Sequence, residues 1–119
     1  MTFDWTAGSL AEGLHCYRIQ QFFEAHEYWE SVWLTLNEPE KSFLQALVQI
    51  SAAFHHLRQG NRIGTISLLT RSLRRLDRYP ALYCGVNTAR LREQARAWLT
   101  ALEEHAEKLP ADFPDLYIE

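Results

Sequence analysis

Apolar residues recur along this chain with the period of an α-helix. Between Arg62 and Arg78 they form one stripe: Ile63, Ile66, Leu69, Leu73 and Leu76. Before Pro110 they form another: Leu91, Ala95, Trp98, Leu102, Ala106 and Leu109. Residues three and four apart share a helix face, so both segments read as amphipathic helices. A third stripe, Phe43, Leu47, Ile50, Phe54 and Leu57, is flanked on its other sides by Leu44, Ala46, Val48, Ala52 and Ala53. A helix that is apolar on most sides belongs in the middle of a fold.

Breakers and caps divide the pattern into five helices. The first is expected from about Leu10 to Arg18 with Ser9 as N-cap. The second is expected from about Gln20 to Leu36, stopping at Asn37. The third starts at Pro39, a residue suited to a first helical turn, and ends at Gly60-Asn61. The fourth runs from Arg62 to Arg78 and stops before Pro80. The fifth is capped by Asn87 or Thr88 and ends before Pro110. No Asn-Gly or Asp-Gly lies between alternating apolar runs, which argues against hairpins. The expectation is an all-α fold, a compact bundle of about five helices with the third central, in one domain over residues 1–119. The tail 110–119 should be irregular, with Phe113, Leu116 and Tyr117 docking on the bundle. Trp5 should seal one end of the bundle or bury in a partner.

Composition narrows the class. The chain has 119 residues, 47% hydrophobic and 23% charged, a globular balance long enough for a core without disulfides. Two separated cysteines, Cys16 and Cys84, read as reduced thiols. No apolar run approaches the roughly 18 residues of a membrane span. The N-terminus lacks a basic, then apolar, leader. The expectation is a cytoplasmic protein with no membrane partner; a homodimer is compatible with the sequence. Net charge is −3, which gives no global case for nucleic acid. Yet Arg58, Arg62, Arg71, Arg74, Arg75 and Arg78 with the one acid Asp77 make their segment +5, leaving −8 elsewhere. Arg71, Arg74, Arg75 and Arg78 lie opposite the leucine stripe. They read as a solvated face or as an anion-binding surface for a nucleic acid or protein partner. No aromatic is interleaved with them, which argues against base stacking.

The second helix carries the most informative pair. With Phe22 at zero, His26 falls at about 40° and Glu30 at about 80°, between Trp33 and Phe23 on the apolar face. A carboxylate buried there must be paired, metal-bound or protonated. The four-residue spacing sets the two side chains side by side, as a metal clamp or as a His base with an orienting carboxylate. A short connection near Asn37–Glu40 predicts antiparallel packing of helices two and three, which brings His56 to the pair's depth. Gln45 and Gln49 share its side of the helix; His55 points about 100° away from His56 and, with Glu27 or an acid elsewhere, is an alternative third ligand. The expected set is His26, Glu30 and His56 around a divalent metal, with Glu27, Trp33 and Gln49 as wall or support. The alternatives are a hydrogen-bonded pair that only fixes packing, and His55 and His56 as cations at a helix C-terminus. The motif is not HExxH, so a zinc protease has little support.

The stretches FFEAHEYWESVWL and FLQALVQISAAFHHLRQGN resemble a bacterial and archaeal family called domain of unknown function 309. Its signature, His, three residues, Glu, two residues, Trp or Tyr, reads here as His26, Glu30 and Trp33. The resemblance covers roughly residues 10 to 80 and implies an all-helical fold with a site at His26 and Glu30. That signature has been suggested to bind metal, and no reaction is established for the family. Two functions follow as expectations. One is a small metal- or ligand-binding protein, a hydrolase among its forms, built on the pair. The other is a non-enzymatic interaction module acting through the arginine face.

Overall fold

The computed structural model describes residues 3–119; residues 1 and 2, with which the expected domain begins, lie outside that description. Five helices follow in order: α1 (Gly8–Arg18), α2 (Phe22–Trp33), α3 (Glu40–Arg58), α4 (Arg62–Leu76) and α5 (Thr88–Glu103). Each helix packs against its neighbours in sequence, α1 on α2, α2 on α3, α3 on α4 and α4 on α5. This is the expected all-α bundle. α3 lies at its centre, with Phe43, Leu44, Ala46, Leu47, Ile50, Ala53 and Phe54 fully buried.

The helix ends explain the path. At the end of α3, Gly60 takes a left-handed conformation (φ 74°). Its N–H bonds Leu57 O, and Asn61 N–H bonds His56 O at 2.9 Å, which closes the orphan carbonyls of the last turn. Asn61 then caps α4 by accepting from Gly64 N at 2.9 Å, and Asn87 caps α5 by accepting from Arg90 N. Ser9 does not cap α1. That helix starts two residues earlier, at Gly8 after Ala7, without a side-chain cap bond. α2 is shorter than the expected span, and α5 stops six residues before Leu109 because the chain turns through a left-handed His105. Leu109 and Ile63, assigned above to buried stripes, are exposed.

The expectation against hairpins is overturned by a small one. β1 (Leu82–Tyr83) pairs antiparallel with β2 (Val86–Asn87). Cys84 and Gly85 both have positive φ (49° and 79°), the geometry of the tight turn that Asn-Gly usually supplies. A cysteine in that position carries no sequence signal. Both ends of the described chain meet at this turn. Trp5 Nε1 donates to Cys84 O at 2.8 Å. Ile118 bridges Val86, and Glu119 N donates to Gly85 O at 2.8 Å. The rest of the tail lies along the bundle: Tyr17 Oη donates to Pro114 O at 2.6 Å, Trp98 Nε1 donates to Asp112 O, and the Phe113 ring stacks on Trp98 with centroids 5.0 Å apart.

Among the described residues no helix is long and apolar enough to cross a membrane.

Candidate functional site

α2 has two faces of different character. Phe22, Ala25 and Trp29 point into the core. Trp29 is fully buried, stacked on Tyr17 and edge-on to Trp5, and its Nε1 donates to Leu10 O. Gly13 of α1 makes this possible: a methyl group there would lie 2.4 Å from the indole nitrogen.

The other face carries His26 and Glu30. His26 Nε2 lies 3.0 Å from Glu30 Oε2, with the side chains 27% and 42% exposed. The pair is therefore half-exposed and not buried in the apolar face, which corrects the burial read from the helical wheel. The reason is the bundle's layout. α2 packs on α1 and α3, so the sector beyond them stays open, and Phe23, placed near the core by the wheel, is 45% exposed. At such exposure a carboxylate needs no special compensation, because water solvates it.

A cavity of about 290 Å³ opens in this sector between α2 and α3, lined by Phe23, His26, Ala52, His55 and His56. The Phe23 ring stands 5.1 Å from His55 and 6.0 Å from His26. His56 shares the cavity with His26, at the depth the antiparallel packing of α2 and α3 requires. Its Nδ1 lies 3.2 Å from Asn61 Nδ2, so the ring is tied to the end of α3. His55 lines the same cavity although the helical period turns it away from His56. Phe23 and Ala52 were absent from the candidate set, and His55 stood only as an alternative third ligand. The i, i+3 spacing of Phe23 and His26 was the available signal, and it was masked by reading Phe23 as core.

The supporting residues divide. Glu27 faces a different hollow, with Ser9, Glu24, Tyr28 and Ser31, so it does not support the pair. Trp33 is half-buried with Lys41 Nζ over its ring at 5.4 Å, and Gln49 is half-buried. Neither lines the cavity. Trp33 Nε1 and Gln49 Oε1 are nonetheless buried with no hydrogen-bond partner. Trp33 is one turn beyond Glu30, and Gln49 is one turn before Ala52 on α3. The donor set fits a metal poorly: among the described residues no three His, Cys, Asp or Glu side chains are grouped to hold one. Nor is there an activated thiol. Burial pushes the thiol pKa of both Cys16 and Cys84 above the ordinary value, with nearby glutamates adding to it, whereas a nucleophilic cysteine needs a lowered one.

The arginines also divide. Arg58 donates to the backbone and side-chain oxygens of Gln20 and sits over the Phe22 ring at 4.8 Å. Arg62 donates to Leu102 O through Nε (2.9 Å) and Nη2. Arg71, Arg74, Arg75 and Arg78 line a hollow of their own, of about 480 Å³.

The fold and this half-open polar face define the class: a small all-helical protein with a histidine-lined cleft between two antiparallel helices. Over residues 10–68 the chain matches the family described as "Domain of unknown function (DUF309)", and in that region it belongs to that family. It is also similar to an "Uncharacterized protein" of Aquifex aeolicus (strain VF5), 27% identical over 84 residues. That match covers 70% of this chain and 25% of the relative, so the chain spans about a quarter of the relative's length.

Proposed function

We propose that this chain is a small-molecule-binding helical protein whose site is the cleft between α2 and α3, with His26 as its acid–base group and Glu30 as the carboxylate that orients it. The observation that carries the reading is the convergence of three imidazoles and a phenyl ring on one cavity of about 290 Å³, near the lower end of the roughly 300–1,000 Å³ of small-ligand pockets. With Nε2–H directed at Glu30, the His26 lone pair sits on Nδ1, free to accept a hydrogen bond or a proton. Phe23 supplies an apolar wall and Ala52 leaves the space.

The lining holds no hydroxyl or thiol, so an acyl intermediate of the serine or cysteine type has no nucleophile here. In the hydrolytic form of this reading, His26 would draw a proton from a water molecule attacking the bound ligand.

Ala52→Leu fills the cavity without altering the His26–Glu30 pair. In a fragment screen followed by NMR of the imidazole C–H signals, hits on the wild type are expected to shift His26, His55 and His56 together and to lose at least about tenfold in affinity in Ala52→Leu. Hits that ignore those signals, or bind the variant equally, overturn the site. A gain in thermal stability of chelated protein on adding zinc, manganese, nickel or iron(II), abolished by His26→Ala, would replace this reading with a metal site.

A further inference from the structure

Six arginines fall between positions 58 and 78, and the fold uses only two of them. Arg58 and Arg62 each donate to a carbonyl oxygen of another segment. Arg71, Arg74, Arg75 and Arg78 make no ion pair with any carboxylate among the described residues, and together they line one hollow of about 480 Å³. They stand at i, i+3, i+4 and i+7 on α4 and the turn that follows it, a run of about 10 Å. Leu69, Ser72, Leu73 and Leu76 hold the opposite side in the core.

Helix-end electrostatics explains part of this. Arg74 and Arg75 lie in the last turn of α4, where the dipole favours a cation. It does not explain four, because like charges at i, i+3 and i, i+4 repel. The carboxylate whose field reaches Arg75 and Arg78 is Glu38, and it is already engaged. It accepts from Ser42 N at 2.6 Å and from Ser42 Oγ, and these bonds, with a smaller effect of the two arginines, hold its pKa below the ordinary value.

We propose that this hollow binds an oligophosphate, an anion of two or three linked phosphates. Guanidinium forks match phosphate oxygens two at a time, and a run of about 10 Å accommodates a short phosphate chain. The lining has no aromatic or aliphatic residue to hold a base, so the phosphate chain itself is read. Charge decides against a long polyanion. The remainder of the chain carries −8 and repels any strand that runs past the hollow. The site is independent of the histidine cleft.

Calorimetric titration of the metal-free protein with sodium tripolyphosphate tests it, at low salt and again at higher salt. Saturable binding is expected well below about 1 mM, weakening as salt rises. The double variant Arg71→Gln/Arg75→Gln should bind at least about tenfold more weakly. Its thermal unfolding should match the wild type, because neither side chain is in the core. His26→Ala should bind like the wild type. ATP should bind no more tightly than tripolyphosphate. No saturable binding, or equal binding by the double variant, overturns the proposal. So does ATP binding about tenfold more tightly, which would mean a base is read, or a 20-nucleotide single-stranded RNA outcompeting tripolyphosphate, which would make the face a nucleic-acid surface.

Discussion

Trp29 and His26 stand three residues apart on α2 and belong to different regimes. Trp29 is sealed between Gly13, Tyr17 and Trp5, with its one polar atom bonded to Leu10 O. His26 keeps about a quarter of its side chain in water and has one carboxylate partner and a cavity beside it. On the first face every atom is dictated by packing. On the second, packing dictates little, and the polar groups present there need another reason to be where they are. The difference teaches that the two sides of α2 are fixed by different means: packing in the bundle sets the Trp29 side, whereas the His26 side is left half-open to solvent.

Three experiments break or sharpen that contrast. Gly13→Ala should have the largest effect. Its methyl would meet the Trp29 indole at 2.4 Å, and such overpacking costs about 1–3 kcal/mol or more, readable as a drop in the denaturant midpoint. A cost near zero would mean the sealed face is looser than it looks. Second in size is alkaline destabilisation. Tyr17 is fully buried, and burial, helped by Asp115, drives its pKa far above the ordinary value. The folded protein thus keeps a proton that the unfolded chain releases above about pH 10. Stability from this group is intact below that pH and falls as pH rises through and beyond it, by at most about 1.4 kcal/mol per pH unit. Unfolding midpoints measured from pH 8 to 12 should show this slope, and Tyr17→Phe should flatten it. The smallest effect is expected at the open face. His26→Ala should cost under about 1 kcal/mol, the range of exposed ion pairs. A loss as large as that of Gly13→Ala would make the pair a packing element and remove the contrast.

Much of the architecture was legible because stripes of apolar residues at a 3.6-residue period report directly on which side of a helix is covered. The stripe through Phe43, Leu47, Ile50 and Phe54 placed α3 at the centre. What a wheel cannot report is how many neighbours surround a helix. α2 has two, so Phe23, His26 and Glu30 sit in an open sector that the wheel assigns to the core. The hairpin was invisible because Cys84 takes the left-handed position normally marked by Asn or Gly. At the site, the four-residue spacing carried the His26–Glu30 contact, and helix register carried His56 to the same cavity. Phe23 was missed and His55 was ranked behind His56 because their places depend on the local groove. Glu27 was placed with the pair by sequence proximity, and the structure turns it to another side. The charge count treated six arginines alike, although Arg58 and Arg62 are anchors. Helix period set the other four on one face, but only the tertiary partners, Gln20 and Leu102, show that these two are anchors.

The tail has a consequence for cooperativity. Phe113 packs against Phe22, Phe54 and Trp98 at once, with centroid distances of 5.0, 4.9 and 5.0 Å, so one ring from the last residues joins α2, α3 and α5. Tyr17 of α1 is tied to the same segment through Pro114. Amides of α1 and α2 should therefore exchange with deuterium through the same opening as those of α5. Residues 10–68 then form part of a single folding unit whose closure depends on contacts made nearly a hundred positions away.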